Sequence, residues 1–295
     1  MAPGSIAILG ATSHIARDFV ARFAPRAGVE IHLYGRNTES RPYSQFGQDR
    51  YAAIINFVGV GDPSRAKEMG PDIFAVTRQF DLMALDYLSR HPDTRYIFLS
   101  SGAVYGQNFA EGVSEASPAH VPVNALQPQD YYAEAKRYAE ALHRSRPENI
   151  FDIRVFNYIS RSADLSARFL IADMINAVRG GTLFKTTSRP LMRDFLHPAD
   201  FCQLVERCLA VPDGNMALDC YSQAPISKEE LIALMASEFG MRYEIADAAS
   251  IVNATGEKPN YFSRNSRAAA LGYAPTYSSH SAIREEVAAI LKREN

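Results

Sequence analysis

The order strand, glycine turn, helix at the head of the chain limits its possible folds more than any other feature. Ser5-Ile-Ala-Ile-Leu9 is a short apolar run, Gly10-Ala-Thr-Ser-His-Ile-Ala16 follows, and Arg17-Asp-Phe-Val-Ala-Arg-Phe23 has helical character. In this order backbone N–H groups at a helix start can face a pyrophosphate, although an ordinary strand-to-helix connection reads the same way. The pattern then repeats. Val29-Glu-Ile-His-Leu-Tyr34 is a second strand, ending at Gly35-Arg36-Asn37. Ala53-Ile-Ile-Asn-Phe-Val-Gly-Val-Gly61 is a buried strand running into a glycine turn, and 73–89 carries a helical apolar stripe suited to a core or a subunit contact. Alternating strands and helices of this kind predict a parallel sheet covered on both faces. The interval between Asn37 and Ala53 is too short for a full helix, so that side of the sheet is expected to be abbreviated.

Tyr96-Ile-Phe-Leu99 is a further apolar strand, ending in Ser100-Ser101-Gly102-Ala103-Val104-Tyr105-Gly106. Asp130 to Leu142 is rich in helix formers and free of breakers, which puts Tyr132 and Lys136 one turn apart on one face. A phenol titrates at about pH 10 in water, and a neighbouring ammonium favours the phenolate. The pair can therefore exchange a proton with an oxygen near neutral pH, and Ser101 can add a hydroxyl hydrogen bond to the same oxygen. A Tyr-x-x-x-Lys pair by itself is often solvated helix surface; its position after a strand ending in Ser-Ser and a nucleotide-loop candidate gives it weight.

The size and balance of the chain bound the alternatives. Its 295 residues exceed one ordinary domain and fit a large α/β unit with a smaller lobe. With 31 basic and 33 acidic residues the net charge is −2, which favours neither nucleic acid nor an acidic membrane. Cys202, Cys208 and Cys220 lack metal-ligand spacing and read as packing residues of a reducing compartment. No apolar run reaches membrane-spanning length and no leader pattern opens the chain, so a soluble, cytoplasmic protein without a metal is expected.

From Gly10 to the last helix, at about 283–293, the chain resembles an extended short-chain dehydrogenase/reductase of the NAD-dependent epimerase/dehydratase, nucleotide-sugar type. Four segments carry the likeness. Ser100 to Gly106 resembles the family's Ser-Ser-x-Ala-Val-Tyr-Gly strand end, followed by the Tyr132 and Lys136 pair. Ile153-Arg-Val-Phe-Asn157 resembles the Leu-Arg-x-x-Asn strand, Arg193-Asp-Phe-Leu-His-Pro-Ala-Asp200 the Arg-Asp-Phe-Val-His-Val-x-Asp stretch, and Leu271-Gly-Tyr-Ala-Pro275 the Leu-Gly-Trp-x-Pro motif.

The resemblance implies a Rossmann-type doubly wound parallel sheet with a smaller C-terminal α/β substrate lobe. The dinucleotide domain would comprise 1–156 with returning segments at about 195–222, and the lobe 157–194 and 223–295. Beyond Asn157, helices are expected at 164–181, 201–209 and from Ser227 on, the last with a capping-box pattern. Ser101, Tyr132 and Lys136 would be catalytic. Gly10, Thr12, Ser13, His14, Ile15, Arg36, Val58, Gly59, Tyr132 and Lys136 would hold the cofactor, and Asn157 and Arg193 a nucleotide-diphosphate sugar. Arg193 and His197 also have a structural alternative, an ion pair with Asp194 or Asp200. A homodimer through the helices at about 73–89 and 130–143 is implied, with Phe80, Leu82, Met83, Tyr87 and Leu88 covering more than one face. Loops at 108–127 and 246–261 would wall the pocket.

Departures from the pattern narrow the chemistry. The glycine loop is Gly10-x-x-Ser13-x-x-Ala16, with a serine where backbone approaches phosphate. Gly35 stands where an acid would read an NAD ribose, and Arg36 after it suits a 2′-phosphate, so NADP is expected and NAD remains possible. Gly102-Ala103 replaces the Asp-Glu pair of the 4,6-dehydratases and the cysteine of the epimerase-reductases. Reduction of a 4-keto(-6-deoxy) sugar by hydride transfer is the first reading. A 4-epimerase with tightly bound NAD is the second, and a catalytically silent cofactor sensor the third.

Overall fold

The computed structural model describes residues 5–60, 63–167, 169–246 and 258–292. Ser5–Leu9 (β1) is buried at every position, as a strand covered on both faces must be. It turns at Gly10 into His14–Ala27 (α1), and Ile31–Tyr34 (β2) returns beside it. A single 3-10 turn, Tyr43–Gln45, fills the expected short interval, and Tyr51–Asn56 (β3) crosses to the other side of β1. Pro63–Met69 (α2), Asp72–Arg90 (α3), Arg95–Ser101 (β4), Tyr131–Arg144 (α4) and Ile150–Val155 (β5) complete the alternation.

The second half begins with Asn157–Tyr158 (β6), Leu170–Arg179 (α5), Phe184–Thr186 (β7), Met192–Arg193 (β8) and Phe195–Leu196 (β9). Pro198–Ala210 (α6) and Asn215–Cys220 (β10) return to the main sheet. Ile226–Ser227 (β11), Lys228–Phe239 (α7), Tyr243–Ile245 (β12), Asn260–Tyr261 (β13) and Ser279–Lys292 (α8) follow. The main sheet is wholly parallel, in the order β10-β5-β4-β3-β1-β2. Its direction of winding reverses between β1 and β3, which leaves a crevice at their carboxyl ends. This is the expected Rossmann-type sheet, shorn of one strand and helix on the β2 side.

Alternation along β1 divides the core. Ile6 and Ile8 face α1 and α6, packing with Phe19, Phe57, Phe201 and Val205. Ala7 and Leu9 face the other way, with Tyr51, Leu85, Tyr87, Tyr96 and Phe98 under α3 and α4. A separate cluster, including Met174, Phe195, Leu231, Met235 and Val287, holds α5, α7 and α8 together. Phe195 joins that cluster while the next residue, Leu196, joins the main sheet's, so the chain crosses between cores at β9.

Three expectations need correction. The helix predicted at 164–181 spans only Leu170–Arg179. The Asp164 carboxylate instead accepts from the Ser166 N–H and hydroxyl, a local turn that competes with helix. Tyr87 and Leu88 are fully buried within the chain and cannot form a subunit contact. With no helix between β2 and β3, α3 packs on the residues of that short connection: Phe80 meets Tyr43 at 4.5 Å and Tyr87 meets Phe46 at 5.6 Å. The second strand starts at Ile31 rather than Val29. Gly61, Arg293 and most of the loop assigned to 246–261 lie outside the described residues.

Below the sheet's α4 face lies a buried ion cluster. His143 places Nδ1 2.6 Å from Asp152 and Nε2 2.8 Å from Asp81, with all three side chains essentially out of solvent. Burial opposes the imidazolium, but the two carboxylates outweigh it and raise the pKa from 6.5 to about 9. The folded state therefore binds this proton more tightly than the unfolded chain. The resulting stabilisation is full below pH 6.5 and is lost as pH rises through about 9. Lys136, whose pKa is depressed to about 8, shifts stability the opposite way as pH rises, so the comparison must be with a variant. The melting-temperature advantage of the wild type over His143→Gln is expected to shrink as pH rises from 6.5 to 9. A constant advantage across that range contradicts the charged state of His143.

Candidate active site

The crevice is built from backbone. Gly10 has φ +76°, and a Cβ there would come within 2.8 Å of the Val58 nitrogen and 2.9 Å of the Phe57 carbonyl carbon. Only glycine lets the β1 turn approach the end of β3 so closely. Ser13 is the N-cap of α1 with ordinary backbone angles, and its hydroxyl caps no N–H of the helix. Thr12 is exposed, His14 lies 5.8 Å from the Tyr158 ring, and the Ile15 side chain packs on the core. Burial holds His14 below its usual pKa, so it is neutral at pH 7. Tyr43, which no motif singled out, lies against the Gly10 backbone and within the field of Arg36. Arg36 is exposed after β2 and has no carboxylate partner among the described residues.

At the other end of the crevice, β4 and α4 bring Ser101, Tyr132 and Lys136 together. Tyr132 lies close enough to Ser101 for the serine hydroxyl to lower its pKa. Lys136 is 2% exposed; its Nζ donates to the Leu99 carbonyl at 2.7 Å and sits 4.1 Å from the Phe98 ring centroid. Gly59 completes the contact, since a Cβ there would meet Nζ at 3.3 Å. Burial lowers the lysine pKa to about 8, against the raising fields of Asp81, Asp152 and Glu140.

One electrostatic expectation is corrected. Nζ lies 6.0 Å from the Tyr132 ring centroid and does not draw the phenol down; burial raises the Tyr132 pKa, and only the Ser101 hydrogen bond offsets it. At neutral pH the Tyr132 phenol therefore keeps its proton.

Asn157 and Arg193 lie across the cleft. Asn157 Nδ2 donates to the Asp194 carbonyl at 2.9 Å, which fixes its amide. The proposed ion pairs of Arg193 and His197 with Asp194 or Asp200 do not form. Asp194 accepts from Ser222 and Ser279, and Asp200 from Thr276 and Tyr277. His197 instead caps α6, stacks on Tyr277 at 3.6 Å and reaches Glu286 at 3.2 Å. Burial raises the Glu286 carboxyl, but His197 and Arg161 outweigh it and hold it at about 2.

Arg193 Nη1 donates to the carbonyls of Met192, Lys258 and Pro259 and meets no carboxylate among the described residues. Beside it, Lys258 Nζ lies 5.1 Å from the ring centroids of both Phe109 and Tyr261. Burial and then the Arg193 charge lower its pKa to about 8, while Asp130, engaged with Gln107 and Gln127, raises it from a distance. Two partly buried cations side by side, with no carboxylate in contact among the described residues, have the chemistry to attract an anion. Lys258 and Tyr261 are residues that sequence reasoning missed. Nothing marks them except their place beside β8, because β13 pairs with it in the register Tyr261↔Arg193.

The molecule is thus a Rossmann-like α/β protein with a six-stranded parallel sheet and a separate hydrophobic cluster around α5, α7 and α8. A model of the NAD dependent epimerase/dehydratase family matches residues 6–218, and the chain belongs to that family. No curated protein sequence matches it. Solved structures share the fold over its length. UDP-glucose 4-epimerase from Thermotoga maritima, solved with UDP-glucose, is 14% identical with a TM-score of 0.81, covering 99% of this chain and 100% of that one. dTDP-glucose 4,6-dehydratase from Bacillus anthracis, in complex with NAD, is 16% identical with a TM-score of 0.77, over 99% and 97%. RMD from Pseudomonas aeruginosa, complexed with NADPH, is 20% identical with a TM-score of 0.78, over 98% and 99%. No helix among the described residues is long and apolar enough to cross a membrane.

The cation pair generates a binding prediction. Lys258→Ala is expected to weaken binding of a nucleoside diphosphate by about 10–100-fold, the worth of a charge-assisted hydrogen bond. Arg193→Ala should act likewise, and calorimetry should find dinucleotide binding unchanged in both. Equal losses for the two ligands would mark a structural role.

Proposed function

We propose that the protein is an NADP-dependent ketoreductase of a nucleotide-linked 4-keto(-6-deoxy) sugar, acting by hydride transfer at carbon 4. The observation that carries this reading is the juxtaposition of Ser101, Tyr132 and Lys136 at one end of a glycine-turned crevice, with a cation pair across the cleft. The crevice suits a dinucleotide: the Gly10 turn lies bare of side chain at the start of α1, where backbone N–H groups favour a pyrophosphate, and Gly59 leaves space for the Lys136 ammonium. A bound NADPH would supply the hydride. Tyr132 donates the proton to the carbonyl oxygen, and Ser101 donates a hydrogen bond to the same oxygen. Lys136, its Nζ bonded to the Leu99 carbonyl, would also bond the nicotinamide ribose. Arg193 and Lys258 hold the diphosphate, with Asn157 nearby.

Position 102 favours hydride chemistry alone. A Cβ on Gly102 would overlap the Phe156 ring at 2.5 Å, so no carboxylate for water elimination can stand there, and Ala103 offers no proton-removing group. Arg36 favours the phosphorylated cofactor, being exposed, without a carboxylate partner among the described residues, and near Tyr43, which lies against the Gly10 backbone. The second reading is a 4-epimerase that keeps NAD bound through oxidation and return of the hydride. Ser13 in the loop speaks for a cofactor that exchanges, as a reductase requires.

The exposed faces of α3 and α4 support a homodimer. Phe74 and Tyr138 are 39% and 55% exposed and lie beside Ala135 on a shallow groove between the two helices. Sedimentation of a monomer at micromolar concentration would contradict it.

The purified protein is expected to oxidise NADPH stoichiometrically when given nucleotide-linked 4-keto-6-deoxy sugars. Tyr132→Phe should lose about 10²–10⁴ in turnover while still binding NADPH. Arg36→Ala should raise the Michaelis constant for NADPH far more than for NADH. Protein that purifies with stoichiometric NAD and interconverts two sugar epimers without net cofactor change would instead be the epimerase.

A further inference from the structure

Five polar side chains form an unbroken, buried line from the ion cluster beneath the sheet to the lip of the crevice. Asp152, His143, Asp81, Tyr96 and Asn56 are all essentially out of solvent. His143 joins the two aspartates, and Asp81 Oδ1 also accepts from the Tyr96 hydroxyl at 2.9 Å. The Tyr96 oxygen accepts from Asn56 Nδ2 at 2.9 Å, and Asn56 Oδ1 accepts from the Val58 N–H at 2.9 Å. The reaction outlined above uses none of the five.

The far end of the line holds a backbone atom of the crevice. The register of β1 with β3 ends at Leu9↔Asn56, and the Phe57 N–H still finds the Leu9 carbonyl at 2.9 Å. Val58 is the first residue past that ladder, so its N–H is held by a side chain instead. Its nitrogen is also the atom that a Cβ on Gly10 would meet at 2.8 Å, and Gly59 after it faces Lys136 Nζ. One peptide unit therefore sits between the glycine turn and the catalytic lysine.

The line has a direction, and charge fixes it. A carboxylate only accepts, and the charged His143 donates from both ring nitrogens. Asp81 therefore takes the single Tyr96 proton, which burial and the Asp81 charge keep on the phenol. The phenol oxygen is then an acceptor for Asn56, so the amide turns its nitrogen to Tyr96 and its oxygen to Val58. The opposite orientation would set an NH2 group against the Val58 N–H, donor against donor.

We propose that Asp81, acting through Tyr96, is a positioning residue for the cofactor: its charge orients the Asn56 amide, which holds the Val58–Gly59 backbone where a dinucleotide lies against it. The inference rests on the dinucleotide reading of the crevice above. It predicts that charge and amide can exchange places along the line. Asn56→Asp alone leaves two carboxylates competing for one phenol proton. Adding Asp81→Asn lets that proton turn to position 56 and gives the phenol oxygen an amide donor from position 81.

Calorimetry with NADPH on wild type, Asn56→Asp, Asp81→Asn, the double variant and Tyr96→Phe tests this. Asn56→Asp should bind about 10-fold more weakly than wild type, equivalent to about 1.4 kcal/mol. The double variant should regain most of that loss, while Asp81→Asn alone should bind no tighter than wild type, so that the recovery belongs to the pair. Tyr96→Phe, which removes one oxygen and keeps the shape of the core, should also lose about 10-fold and decides the case if Asn56→Asp does not fold. Full NADPH affinity in Tyr96→Phe with only a lowered melting temperature would mark a line that merely stabilises the core, and overturns the inference alone. So does a double variant that binds no tighter than Asn56→Asp. Wild-type protein that binds neither NADPH nor NADH overturns the dinucleotide reading, and the inference with it.

Discussion

A lysine ammonium buried away from water, with no carboxylate in contact among the described residues, is the constraint around which this molecule is arranged. Lys136 has the Leu99 carbonyl at 2.7 Å, the Phe98 ring beneath it, and the more distant charges of Asp81, Asp152 and Glu140. Burying an ammonium is costly, and that cost is met by order in several elements at once. The end of β4 must offer a carbonyl, α4 must lie close over the sheet, and Gly59 must leave space. The Asp81–His143–Asp152 cluster and the Glu140–Arg154 pair fix the carboxylates whose field keeps the lysine's pKa from falling further. The sheet and α4 thus hold one end of the site rigid before any ligand arrives.

The lobe supplies the other end by a different device. β8, β9, β11 and β13 are two-residue strands, too short to hold position alone, and they are stapled by side chains instead. Asp194, Asp200 and Glu286 each accept several hydrogen bonds from distant segments. With those carboxylates satisfied elsewhere, Arg193 and Lys258 have no carboxylate partner among the described residues. Affinity for an anion is therefore built from what the lobe withholds as much as from what it presents.

The main sheet and its glycine turn were legible because each strand is a run of apolar residues bounded by polar or glycine punctuation. Ser101, Tyr132 and Lys136 were legible because helical spacing alone puts two of them on one face. Electrostatics was less so: spacing brings Lys136 near Tyr132, but only the fold reveals that Nζ turns to Leu99 and leaves the phenol neutral. Lys258 and Tyr261 carried no signal, since a two-residue strand has no periodicity to read. Tyr87 and Leu88 looked like a second helix face; the missing helix between β2 and β3 lets the chain's own aromatic residues cover them.

The central claim, that hydride crosses from nicotinamide to carbon 4 of a sugar held between Tyr132 and Lys258, has one direct measurement. NADPH carrying deuterium at the transferable C4 position is turned over with a nucleotide-linked 4-keto-6-deoxy sugar, and the product is read by NMR. The account predicts one deuterium at carbon 4 of the sugar for each NADPH consumed. Product formed without deuterium at carbon 4, or sugar interconverted while the labelled cofactor is returned unchanged, would contradict it.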